Sequence, residues 1–525
     1  MLKIVLRCEL RILFFLFFPF LNSAHSITFV TLLTPITPAC CSPKDASNPL
    51  ASTPSTNTNK DGEVSEEKDQ LGNYETEQLI NAISKITDLL RKCWGVAGAG
   101  IISANLARTQ EGNTVTFNPT VPGKRVYALF AFAGIKEFAM LLRNLDQAVM
   151  VLINDVATVV HEEVFRWGFG GTGQCNKNLG AAFLMVYRIG DFEEVQKKKA
   201  MATDVIFSEK SSRKKANRTQ RHKRSRSRSN ADDTSLQLAS LPGIHGFTDR
   251  ALLGMLKSFA GIHRDKSLLK WRDDLRLGAG VGAFAVNMIF GMDAGWAVEG
   301  AVGSEFKIDA TYLSPHVNMA SRMMSASKQY GVTILLSQAV EELLSSSARK
   351  KLRHLDTVTV KGSSIPQRIY TYDARHRGIE FFLFERDPAE ADLDAESYNS
   401  SIWNKDPDLK AMRQHISEEF EDVFKQGIKK YLAGNWAEAI KGLKEANQIM
   451  ITHCVEEGHV EEYLDEDTTV LTRKLLNPSP HEHEEITHMR SELIDGTCIN
   501  LISYMEKEGG VAPKHWKKFR PLTSK

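Results

Sequence analysis

The feature that most constrains this chain is an alternation of short apolar runs and long amphipathic stretches between residues 125 and 360. Arg125 to Phe132 is apolar and aromatic, as a buried strand is. From Phe138 to Trp167 the apolar residues Leu141, Leu142, Leu145, Val149, Leu152, Ile153, Val156 and Val160 recur at helical spacing. Ala182 to Ile189 reads as the next strand, Asp249 to Ile262 as a helix and Ala285 to Phe290 as a further strand. Another strand, helix and strand follow at Ala310 to Leu313, Val317 to Tyr330 and Thr357 to Val360. This order predicts an α+β fold, a ferredoxin-like sandwich. With 525 residues the chain holds two or three domains, and a hydrophobic share of 42% supplies a packed core. The net charge of +2 gives no global field toward a nucleic acid, so none is expected as a partner.

The flanks differ in character. Lys3, Arg7 and Arg11 precede the apolar run from Ile12 to Leu21, and Ser23 and Ala24 follow. Residues 1–41 therefore read as signal-like or as a membrane anchor. The anchor reading is favoured, with possible membrane association and the folded domain on the cytoplasmic side. Residues 42–74 are rich in Ser, Thr, Asn, Pro, Asp and Lys and read as a disordered linker. Residues 75–119 form a connecting helical region in which Leu79, Ile83, Ile86, Leu89 and Leu90 share a face. The main domain spans 120–376, interrupted at 191–245 by an insertion with the basic run Arg213 to Ser229, read as a solvated loop. In residues 377–525 the residues Phe424, Gly427, Tyr431, Gly434, Trp436, Ala439, Leu443 and Ala446 match one tetratricopeptide-like helix pair. Seven dispersed cysteines with no CxxC pair fit a reducing compartment.

Gly168-Phe-Gly-Gly-Thr-Gly173 has the spacing of a dinucleotide fingerprint, but that motif needs a strand before it and a helix after it. Here a helix precedes and a strand follows, so it is a turn. His481, His483 and His488 lie in an acidic, polar tail and read as solvated rather than metal-binding. Asn318 and Arg322 stand four apart on a predicted helix and share one face. On spacing alone the pair is equally a surface hydrogen bond or a polar hand directed into a cleft.

A resemblance decides between these. The pattern Val317-Asn-Met-Ala-Ser-Arg322 resembles the transition-state segment of class III nucleotide cyclases. In that family the Asn orients the ribose and the Arg neutralises charge developing on phosphate, a task suited to a guanidinium's fixed fork of donors. The resemblance covers about residues 120–376, minus the insertion, and the ending Gly509 to Thr523 looks like that of cyclase-domain proteins of unicellular eukaryotes. Lys361 matches the family's phosphate-binding lysine, and Lys177 and Thr311 match its adenine-reading positions. Tyr127 to Phe138 and Asn176 to Leu184 resemble the two metal-binding segments, each of which carries an Asp in the family. Here those positions are Gly134 and Ala181, which lack the oxygen ligands that Mg²⁺ demands. Glu137 and Asp293 are nearby, but nothing in the sequence places them on a metal.

The resemblance thus implies the ATP-reading, non-metal half of a heteromeric adenylate cyclase. Its partner would be a homologous cyclase subunit that bears the metal aspartates and brings the Mg²⁺. The alternative is a catalytically dead pseudocyclase that acts as regulator or scaffold. An active homodimeric adenylate or guanylate cyclase is disfavoured by the two missing carboxylates.

Overall fold

The computed structural model describes residues 76–86, 88–89, 92–93, 98, 122–168, 172–201, 238–277, 284–304, 307–360, 365–375, 395–458, 468–478 and 484–522. The chain divides into two units, Met1–Asn118 and Pro119–Lys525. In the first, residues 76–86 are helical, with Ile83 buried and Leu79, Ile80 and Ile86 exposed. The signal-like segment and the linker lie outside the described residues. No helix among the described residues is long and apolar enough to cross a membrane.

In the second unit, β1 (Lys124–Ile135) is followed by α1 (Phe138–Leu145) and α2 (Val149–Trp167). The hairpin β2 (Gly173–Leu179) and β3 (Ala182–Asp191) comes next, then α3 (Ile244–Arg264). The strands β4 (Met288–Gly303) and β5 (Ile308–Leu313) lead into α4 (Pro315–Tyr330), β6 (Ile334–Ser337) and α5 (Gln338–Leu343). The hairpin β7 (Leu352–Val360) and β8 (Gln367–Tyr372) closes the domain. The sheet runs β2-β3-β1-β4-β6-β8-β7, with β5 paired to the second half of β4. Among these eight strands the pairs are antiparallel except for β4/β6, the mixed topology of an α+β sandwich.

Alternation divides the sheet into two faces. Tyr127, Leu129, Ala131 and Ala133 of β1 join Phe183 and Met185 of β3 in one core with α2 and α3. Residues of opposite parity, Phe130, Phe132 and Gly134, look toward the other face, where α4 lies. The predicted helix from 138 to 167 is two helices: a 3-10 turn at Asp146–Ala148 separates them, and Asp146 takes φ 48. The strand expected at Ala285 to Phe290 starts at Met288 and continues to Gly303. Of the insertion, residues 192–201 are helical, and Val195, Leu238, Leu241 and Ile244 are buried in the α2/α3 core. Both ends of the insertion therefore belong to the core, and residues 202–237, with the basic run, lie outside the described residues.

The C-terminal region is helical: α6 (Pro407–Met412), α7 (Glu418–Ala433), α8 (Trp436–Glu456), α9 (Thr468–Leu476), α10 (Glu484–Leu493) and α11 (Gly496–Lys507). The helix pair expected from Phe424 to Ala446 is present as α7 and α8. Gly434 turns between them at φ 91, and a Cβ on Gly427 would meet Leu443 at 3.0 Å. A short strand, β9 (Arg520–Leu522), returns to pair in parallel with β7. Buried ionic groups join this region to the sandwich. Lys257 of α3 lies 2.7 Å from both Asp406 and Asp408, and Arg353 of β7 bridges Asp373 and Asp495. Asp249 accepts from Ser345, Tyr398 and Trp403, and Arg520 donates to Asp356.

Candidate active site

The site is built on α4 and the sheet face beneath it. Ser314 caps the helix by accepting from the His316 amide at 2.9 Å, and Pro315 supplies a φ suited to the first turn. The helix then lies directly on β4: a Cβ on Gly291 would fall 2.0 Å from the Met324 nitrogen, so only glycine admits this approach. One turn of α4 separates Asn318, which is exposed, from Arg322, which is half-buried. Neither side chain makes a hydrogen bond or ion pair within the described residues. An unpartnered, half-buried guanidinium is a costly group to leave idle, and its fork of donors is free for an anionic ligand.

Lys177 lies on the polar edge strand β2 and pairs across to Leu184. Phe183 packs edge-on against His161 of α2, so Leu184 and its neighbour Lys177 face the α4 side. The following strand β5 returns over that side, with Tyr312 6.0 Å from Phe130 of β1. Burial, reinforced by Glu299, pushes the Tyr312 hydroxyl up, which keeps it neutral. Thr311 precedes it, partly exposed and paired with Gly300. Lys361, after the end of β7, lies outside the described residues, as do His481 and His483.

Gly134 and Ala181 converge. Gly134 pairs with Ala182, and the Ile135 amide donates to the Ala181 carbonyl at 2.9 Å. The residues present do not fit a divalent cation. Neither position has a side-chain oxygen, and no cluster of three or more His, Cys, Asp or Glu occurs among the described residues. The space beside Gly134 is moreover filled: a Cβ there would meet the Met324 sulfur at 2.8 Å and Ile289 at 3.7 Å. Asp293 does not substitute for the missing acids. It is buried in β4, accepts from Ser337 at 2.5 Å and lies 2.9 Å from His316 Nδ1. Asp293 thereby ties the first turn of α4 to the start of α5. Glu137 is exposed ahead of α1 in the left-handed conformation.

Sequence reasoning missed this anchor and the Met324 plug. The first had a signal: an Asp inside the apolar run Met288 to Ala294 requires a buried partner. The second had none, because Met324 reads as one more apolar position on a helix.

Residues 128–375 match the family described as the adenylate and guanylate cyclase catalytic domain. Residues 12–107, mostly outside the described residues, match the all-helical domain of RasGEFs. An adenylate cyclase of Anabaena cylindrica is 34% identical over 131 residues, 25% of this chain and 25% of that protein. A terminal-differentiation specific adenylate cyclase of Dictyostelium discoideum is 37% identical over 81 residues, 15% of this chain and 4% of that protein. The chain thus spans a quarter or less of these relatives. Among solved structures, a bacterial light-regulated adenylyl cyclase aligns at TM-score 0.36 and 17% identity, covering 59% of this chain and 65% of that one.

Proposed function

Because residues 128–375 are a domain of the class III adenylate and guanylate cyclase family, we propose that this chain is the ATP-reading, non-metal half of a heteromeric adenylate cyclase. The observation that carries the reading is an asymmetry within one chain. Asn318 and Arg322 are presented with no partner of their own, while the metal positions are Gly134 and Ala181 and the space at the first is taken by Met324. A homologous subunit would supply both carboxylates and the Mg²⁺ they hold. This chain would orient the ribose through Asn318, neutralise phosphate charge through Arg322 and Lys361, and read adenine through Lys177 and Thr311. A lysine can donate to the adenine ring nitrogen, and a hydroxyl can accept from the exocyclic amine. The apolar side chains Leu179, Val302 and Leu313, exposed beside Lys177 and Thr311, suit coverage by such a partner.

The test is an assay of the purified full chain alone with ATP or GTP and either Mg²⁺ or Mn²⁺. No cyclic nucleotide is expected. Robust turnover that disappears in Arg322→Ala would overturn the assignment, because the chain would then complete a site by itself.

A further inference from the structure

A cleft of about 370 Å³ lies away from α4, at the seam between the β7/β8 hairpin and the C-terminal helices. That volume is within the range of small-molecule sites, roughly 300–1,000 Å³. Its floor is rigid. Tyr372 of β8 and Trp403 stand with ring centroids 5.9 Å apart. The Tyr372 hydroxyl donates to the Leu409 carbonyl at 3.1 Å, and the Trp403 indole donates to Asp249 at 3.1 Å.

The charges around the cleft are out of balance. Elsewhere along this seam the cations are matched: Lys257, Arg264, Arg353 and Arg520 each meet a carboxylate. At the cleft, Arg413 is matched too, by Glu421, and it stacks 5.3 Å from the centre of the Tyr372 ring. Lys350, Lys351 and Lys410 also line the cleft, and none makes an ion pair or side-chain hydrogen bond within the described residues. Glu418 is the remaining acid, so three lysines and one carboxylate without an ion-pair partner among the described residues line the cleft.

We propose that this cleft binds a small phosphorylated, hydroxyl-bearing molecule, its phosphate held by Lys350, Lys351 and Lys410. Like charges lining one cleft repel one another, and a phosphate that accepts from these lysines would relieve that repulsion. Glu418 accepts from a ligand hydroxyl, and the Tyr372–Trp403 floor gives the apolar contact. Because Lys350 and Lys351 precede β7 while Lys410 belongs to α6, a bound phosphate bridges the sandwich and the C-terminal helices.

The experiment is isothermal titration of the full chain at low salt with adenosine monophosphate and, separately, with inorganic pyrophosphate. The proteins compared are Arg322→Ala, which removes a phosphate-binding group of the α4 site, and Arg322→Ala/Lys351→Ala/Lys410→Ala, with thermal melts to establish that each is folded. Saturable binding is expected in Arg322→Ala and is weakened about tenfold or more when Lys351→Ala/Lys410→Ala is added. Binding of pyrophosphate but not of the nucleotide would leave the phosphate site standing and remove the hydroxyl-bearing part of the ligand. Absence of binding by both probes, or binding indifferent to Lys351→Ala/Lys410→Ala, overturns the proposal.

Discussion

At the scale of single residues, Met324 shows how a lost ligand position becomes part of the packing. The Met324 sulfur lies where a side chain at 134 would begin. Gly134→Asp must displace it and buries a carboxylate without a partner, so a loss of about 1–3 kcal/mol or more is expected. Met324→Ala opens that space, and Gly134→Asp is expected to cost less in the Met324→Ala background than in the wild type. Urea denaturation of the four proteins in the cycle measures this coupling, and strict additivity would refute the plug. His354 of β7 makes a second prediction. Burial pushes its imidazole down from 6.5 to about 4, although Nε2 lies 2.9 Å from the Asp356 carbonyl. The folded state therefore holds it neutral, and the unfolded chain takes up a proton first. Its contribution is complete above pH 6.5 and is lost as pH falls toward 4, amounting to about 2 kcal/mol lost at pH 5. His354→Gln keeps a donor and does not titrate, so the drop in stability between pH 7 and pH 5 is expected to be smaller by about that amount. An unchanged pH slope would contradict the assignment.

At the scale of elements, legibility followed length and periodicity. The strands β1 and β3 and the helices α2, α3 and α4 are long and strongly patterned, and each was foreseen. The edge strand β2, Gly173-Gln-Cys-Asn-Lys-Asn-Leu179, has no apolar alternation because polar residues fall on both parities, Gln174, Asn176 and Asn178 on one and Lys177 on the other. The four-residue β6 and three-residue β9 are too short to carry a period, and both are fixed by their neighbours in the sheet. The break at Asp146 was hidden because apolar spacing continues across it. The site was legible to the same degree. Its polar pair on α4 stood out, whereas the Asp293–His316 anchor joins residues 23 apart and needs the fold to bring them together. The insertion gives a prediction at this scale. Its ends belong to the core through Val195 and Leu238, and the sequence between them is rich in Arg, Lys and Ser, with few apolar side chains to bury. Excision of residues 205–235 is expected to shift Tm by no more than about 2 °C, since loop length enters only logarithmically. A large fall in a melting experiment would make that stretch part of the fold.

At the scale of the whole molecule, the C-terminal helices are not a detachable appendage. The Tyr330 end of α4 is held by them: its carbonyl accepts from Thr497, Gly331 and Gly496 meet backbone to backbone, and β9 extends the sheet at β7. The helix that presents Asn318 and Arg322 is thus clasped between the sheet below and α11 behind. On the proposed function, Asn318 and Arg322 serve a site completed by another subunit. This is tested most directly by cyclic AMP production from complexes captured out of native membranes with the full chain as bait, comparing wild type with Arg322→Ala. The account predicts that the wild-type complex converts MgATP to cyclic AMP, that the full chain alone does not, and that Arg322→Ala lowers the activity of the complex by at least about a hundredfold, the scale of losing one charge-stabilising donor. An equally active Arg322→Ala complex, or a captured cyclase subunit that gains nothing from this chain, would contradict it.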